Sequence, residues 1–116
     1  DVTNKNILFK VDVEGYEAFV LRGMKELIQK SASALGFIEF NSEYMEKSGV
    51  NLSDFLRFLQ QYFSIYIYTK NELVNGSQFT PSDFQKLFRS NYVHTDMILV
   101  KNVKKQIDLL QLSSAS

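Results

Sequence analysis

Acidic side chains crowd one short stretch of this chain. FKVDVEGYE, residues 9–17, sets Asp12, Glu14 and Glu17 around Gly15, directly after an apolar run. Carboxylates this close raise one another's pKa, which is one way a general base is tuned towards neutrality. Further along, Glu39 and Asn41 end a second apolar run, and His94, the single histidine, stands two residues ahead of Asp96. An imidazole beside such carboxylates can take a proton from a substrate hydroxyl. Each group also has a structural alternative. Asp12 or Glu14 can cap the helix opening at Gly15 or pair with Lys10, and a histidine at a loop–strand junction can simply face solvent.

These side chains need elements to hold them. Residues 7–13 are β-branched and apolar enough for a strand, with Ile7, Phe9, Val11 and Val13 on one face and Leu8, Lys10, Asp12 and Glu14 on the other. A helix is expected from Gly15, its apolar stripe made of Tyr16, Phe19, Val20, Met24, Leu27 and Ile28. Glu17 comes early in it and Lys25 and Lys30 late, as the helix dipole prefers. Gly23 is expected to mark close packing. A strand over 35–41 (LGFIEFN) leads to a helix over 53–62 with Phe55, Leu56, Leu59 and Tyr62 on one face. FSIYIYT, residues 63–69, is strongly β-prone. Asn75-Gly76 marks a turn. TPSD, residues 80–83, is a helix start, with Thr80 as N-cap, Pro81 in the first position and Asp83 closing a capping box ahead of Phe84, Leu87 and Phe88. MILV, residues 97–100, reads as a buried strand, and residues 103–112 as a short amphipathic helix before the polar tail SSAS.

The order β-α-β-α-β-(α)-β places the chain in the α/β class, with helices on both faces of the sheet and the first three strands parallel. Ligands of open α/β sheets bind outside the carboxyl ends of the strands. Neighbouring strands lie about 4.8 Å apart, and same-face residues about 6.6 Å apart along one strand. If the first two strands are neighbours, Asp12, Glu14, Glu39 and Asn41 converge on that edge. An antiparallel last strand would start there too, with His94 and Asp96 above the acids.

The bulk numbers narrow the chemistry. In 116 residues, 45% hydrophobic and 14% aromatic, there is material for one compact domain. Thirteen basic and thirteen acidic residues cancel, which removes the electrostatic case for nucleic acid or an anionic membrane. With no cysteine there is no disulfide, thiol nucleophile or thiolate metal site. No apolar run has the roughly 20 residues of a membrane span, and no leader peptide opens the chain. A soluble, cytoplasmic protein is expected, its start without Met reading as a cut. The five glycines are too scattered for a phosphate loop. Asp12-Val13-Glu14-Gly15 lacks the glycine position and the terminal Glu of a calcium loop, and no companion ligands accompany the acids for magnesium, so no metal is expected. A glycosidase pair has only spacing in its favour. The aromatics of FSIYIYT have no basic patch to make them a base-stacking platform.

FKVDVEGYEAFVLRGM resembles the K-[IV]-D-[VI]-E-G-x-E…VL-x-G signature of the FkbM family of S-adenosylmethionine-dependent methyltransferases. The matching residues are Lys10, Val11, Asp12, Val13, Glu14, Gly15, Glu17, Val20, Leu21 and Gly23. GFIEFN with Glu39, and HTDMILVKN, are similar to later strands of that family, so that the resemblance covers roughly residues 5–102. It implies a Rossmann-like methyltransferase sheet in the order 3-2-1-4-5-7-6 with the last strand antiparallel. This chain would supply strands 4 to 7, residues 1–102, followed by the helix and tail of 103–116. The resemblance further implies methyl transfer from S-adenosylmethionine to the hydroxyl of a small molecule or glycan. Asp12 and Glu14 would lie beside the cofactor, Glu39 and Asn41 would shape the substrate pocket, and Asp12 with His94 would serve catalysis. The family's Gly-rich loop and the acid ending its second strand have no counterpart here, so the chain alone is expected neither to bind the cofactor tightly nor to turn over. Its first strand, residues 7–13, would keep one edge unpaired and favour self-association. The alternative is a non-catalytic α/β interaction domain that keeps a methyltransferase-like half-sheet, and 71–91 is the expected substrate cover.

Overall fold

The structure, a computed structural model, describes residues 5–69 and 71–101. Along them run β1 (Asn6–Val11), α1 (Glu17–Gly23), α2 (Lys25–Lys30), β2 (Ser33–Asn41), α3 (Ser42–Lys47), α4 (Leu52–Tyr62), β3 (Ser64–Thr69), β4 (Glu72–Asn75), α5 (Pro81–Phe88) and β5 (His94–Lys101). The expected helix over 103–112 and the tail lie outside the described residues.

The strands form one mixed sheet in the order β1-β2-β5-β3-β4. β1 and β2 pair in parallel, with Val11 opposite Ile38. β5 enters between β2 and β3 and runs antiparallel to both. β1, β2 and β3 therefore point the same way, as the element order predicts, and the last long strand runs against them, as the resemblance implies. β4 is an addition to the four expected strands. Asn71, with φ of 64°, sits in the left-handed region suited to a turn, and residues 72–75 return along β3 as a hairpin.

The core lies on one side of this sheet. Val11, Ala34, Ile38, Phe40, Ile65, Ile67, Met97 and Leu99 from the strands join Ala18, Leu21, Ile28, Met45, Phe55, Leu56, Leu59 and Phe84 from the helices in one buried cluster. Strand register explains the division. Cross-strand partners Leu8–Leu35, Lys10–Phe37, Phe37–Ile98 and Tyr66–Ile98 share the opposite face, and none of them belongs to the core. Leu8 is 73% exposed. Helices on both faces were expected; among the described residues they cover one face only. Gly36 belongs to the covered face, where the Phe9 ring of the paired position comes within 2.1 Å of where a Cβ would stand. A side chain at position 36 would have to displace that ring.

The helices differ from expectation in two respects. The long first helix is broken at Met24 into α1 and α2, and α1 buries Ala18 and Leu21 while Tyr16, Phe19 and Val20 face outward. The apolar stripe read from the sequence is thus the solvent side of α1. Gly23 has open space around it and ends that helix; it marks no close packing. α3 was not anticipated, because its six residues are too short for a periodic signal. α4 and α5 agree with the sequence. Phe55, Leu56 and Leu59 are buried, and Thr80, Pro81 and Asp83 form the expected capping box. Lys101, at the far end of β5, extends its ammonium to the carbonyls of Gln29 (3.2 Å) and Ser31 (2.8 Å) and so caps α2 where the dipole is negative.

Candidate functional site

The three acids of residues 9–17 have three different positions. Glu17, in the first turn of α1, is 1% exposed. Its carboxylate accepts from the Gly15 amide at 2.9 Å and from the Val13 amide at 3.0 Å, so it holds the β1–α1 turn by its backbone. Hydrogen bonds to an ionised acceptor are the stronger kind. Gly15 completes the turn, with φ of 99° and only 2.8 Å between its would-be Cβ and the Cβ of Tyr44. Glu17 thus fixes the turn ahead of α1, and no side chain, Asp12 and Glu14 included, caps that helix.

Glu14, at φ of 49°, points away from the sheet edge to a shallow surface it shares with Tyr16, Tyr44, Lys47 and Ser48. Asn41 accepts from the Tyr44 amide at 3.1 Å and serves as N-cap of α3. Glu14 is not brought to the others, and Asn41, although it pairs with His94 across β2 and β5, does not line the cleft. The structure does gather Asp12 and Glu39.

Asp12, Glu39 and Asp96, with Lys10, Val11, Phe37 and Ile38, line a cleft of about 300 Å³ at the carboxyl ends of β1 and β2. Each strand contributes by register. Val11 pairs with Ile38, which sets Asp12 just beyond the pair, and Glu39 stands directly opposite Asp96 on β5. The ends of β2 and β5 are fixed by Ser42, whose amide donates to the Val93 carbonyl at 2.9 Å and whose hydroxyl accepts from the Val93 amide at 2.8 Å.

Like charges directly opposite across a sheet oppose pairing, and the cleft sets three carboxylates against one ammonium, that of Lys10. Relief for Glu39 comes from His94, whose Nε2 lies 2.9 Å from Glu39 Oε1. The two are diagonal neighbours, because Asn41 is the direct partner of His94. His94 is 64% exposed and stands outside the cleft, while Glu39, 25% exposed, lines it. Among the described residues no three acidic, imidazole or thiol groups converge to hold a metal ion.

Sequence reasoning passed over Lys10 and Phe37 as cleft residues and noted Asp96 only as a neighbour of His94. Asp96 becomes part of the site because the register sets it against Glu39, a fact no local pattern carries. Residues 71–91 do not supply a cover. Their β4 and α5 extend the sheet and its helix layer, with Phe84 in the core, and none of them lines the cleft. No helix among the described residues is long and apolar enough to cross a membrane. Neither protein-family models nor curated proteins nor solved structures provide a match to this chain.

Proposed function

We propose that this chain is the carboxyl-terminal half of an S-adenosylmethionine-dependent methyltransferase similar to the FkbM family, and that the whole protein methylates a hydroxyl group of a small molecule or glycan. The observation that carries the reading is the strand order β1-β2-β5-β3, with the last strand of the sheet inserted antiparallel between the second and third. It corresponds to the 4-5-7-6 order that the resemblance implies. Among the described residues no strand pairs with the outer edge of β1, where a further strand of such a sheet would lie.

The described residues make only part of a seat for the cofactor. Carboxylates of Asp12, Glu39 and Asp96 suit the neighbourhood of a sulfonium cation. A close backbone approach to the rest of the molecule needs an open glycine, and none borders the cleft; Gly15 and Gly36 admit Tyr44 and Phe9 instead. When bound, the cofactor supplies an electrophilic methyl group. This chain's residues have the other task. Phe37 and Lys10 shape the wall for an acceptor, and Glu39 with His94 can take the proton that its hydroxyl loses.

The experiment is transfer of labelled methyl from S-adenosylmethionine to a panel of glycans and small alcohols by the longest natural form of the protein, with calorimetry of the 116-residue chain beside it. Labelled ether product from the long form, and no micromolar cofactor binding by the chain alone, are the expected results. Failure of the long form with every acceptor sinks the reading. Micromolar binding by the short chain would defeat its assignment to the acceptor half.

A further inference from the structure

Glu39 and His94 are bonded to each other, yet only Glu39 reaches the cleft. Sequence reasoning gives the proton-accepting role to His94, with Asp12 beside it in catalysis. The geometry points to a different division: Glu39 is the catalytic base that takes the acceptor's proton, and His94 is a positioning residue that holds Glu39 by donating from Nε2. This inference rests on the methyl transfer proposed above.

Three observations carry it. The carboxylate of Glu39 is the less exposed partner and lines the cleft, whereas the imidazole stands 64% exposed outside it. The Glu39 carboxylate has the His94 bond, on Oε1, as its one hydrogen bond among the described residues, which leaves Oε2 for a hydroxyl in the cleft. Asp96 stands directly opposite Glu39 and Asp12 lines the same cleft, so carboxylates outnumber cations around it. Lys10 is the cation on the same wall. In the step, the acceptor's O–H bond breaks and an O–H bond forms on Glu39. The electron pair left on the acceptor oxygen becomes available to attack an electrophilic methyl carbon. After release of product the proton leaves Glu39 for water through the open cleft. His94 keeps its Nε2 proton throughout.

The test uses the longest natural form in the same methyl-transfer assay. Glu39→Gln is expected to lower kcat by about 10²–10⁴-fold with KM little changed. His94→Ala should lower kcat by about tenfold, and His94→Asn, which keeps a donor, should recover part of it. His94→Ala more damaging than Glu39→Gln would reverse the assignment, and full activity in Glu39→Gln would end it. Because His94 is the single histidine of this chain, selective ¹⁵N labelling followed by long-range correlation gives a second readout free of turnover. The neutral ring is expected as the Nε2–H tautomer, with both tautomers populated in Glu39→Gln. A neutral Nδ1–H ring in the unsubstituted protein overturns the donor role. No transfer by the unsubstituted protein removes the methyltransferase reading, and the role of Glu39 with it, whereas transfer with intact turnover in Glu39→Gln removes the latter alone.

Discussion

On the helix-covered side of the sheet, the carboxylate of Glu17 is buried and both of its oxygens are bonded to backbone amides. On the open side, Asp12, Glu39 and Asp96 face a cleft with one imidazole and one ammonium between them. Residues Asp12 and Glu17 are five apart in sequence, yet their chemistry has nothing in common. A buried carboxyl group with an amide bonded to each oxygen stabilises the turn that carries it. Partly solvated like charges set against one another do little for the fold. The apolar residues divide in the same sense: Ile65, Ile67, Met97 and Leu99 are inaccessible on one side, and on the other Leu8 and Phe37 are exposed, although Val100 there is buried.

The contrast can be broken by substitution, beginning with the largest effect. Phe40→Ala empties a site between Phe55 and Phe84, whose rings lie 6.3 and 5.2 Å from it. A loss of about 4 kcal/mol is expected in urea unfolding; a loss under about 1 kcal/mol would mean the covered side is not a packed core. Glu17→Ala strands the amides of Val13 and Gly15 and should cost about 3 kcal/mol. Glu17→Gln retains one acceptor oxygen and should cost less. Equal stability of all three proteins would remove the structural role assigned to this acid.

A third expectation concerns acid. The Thr80 amide, and then its hydroxyl, hold the Asp83 carboxyl below its ordinary value of 3.8. A depressed folded value means that the stabilisation is full above the unfolded pKa and disappears as pH falls through the lower folded one. Helical circular dichroism should therefore fall at the acid end of a titration below pH 3.8, and Asp83→Asn should lack that component. An identical acid limb in both proteins would contradict it. The smallest effect belongs to the open side. Leu8→Lys should change the stability of this chain by no more than about 0.5 kcal/mol, and any self-association through the β1 edge should weaken in light scattering. A loss above about 2 kcal/mol would mean that Leu8 is covered after all.

Local sequence chemistry was sufficient for much of the fold. The β-branched runs, the Thr80–Asp83 box and the Phe55–Leu59 stripe act over a few residues, and each appears where the sequence puts it. α1 is the instructive exception. Its apolar residues circle the helix, so periodicity allows two burial faces, and packing on the sheet selected Ala18 and Leu21 over Phe19 and Val20. Of the candidate site, the sequence singled out Asp12, Glu39 and His94 as chemistry-bearing, because strand ends in α/β sheets are where ligands meet side chains.

Composition and local pattern alone determined the class of fold, the common direction of the first three long strands and the edge of the sheet that carries the acids. Tertiary structure decided which acid is buried, which face stays open, and that Asp96 confronts Glu39 while His94 is held beside it. The physical reason is register. Pairing between strands 55 residues apart sets which side chains meet, and a slip of one residue would send each of them to the other face.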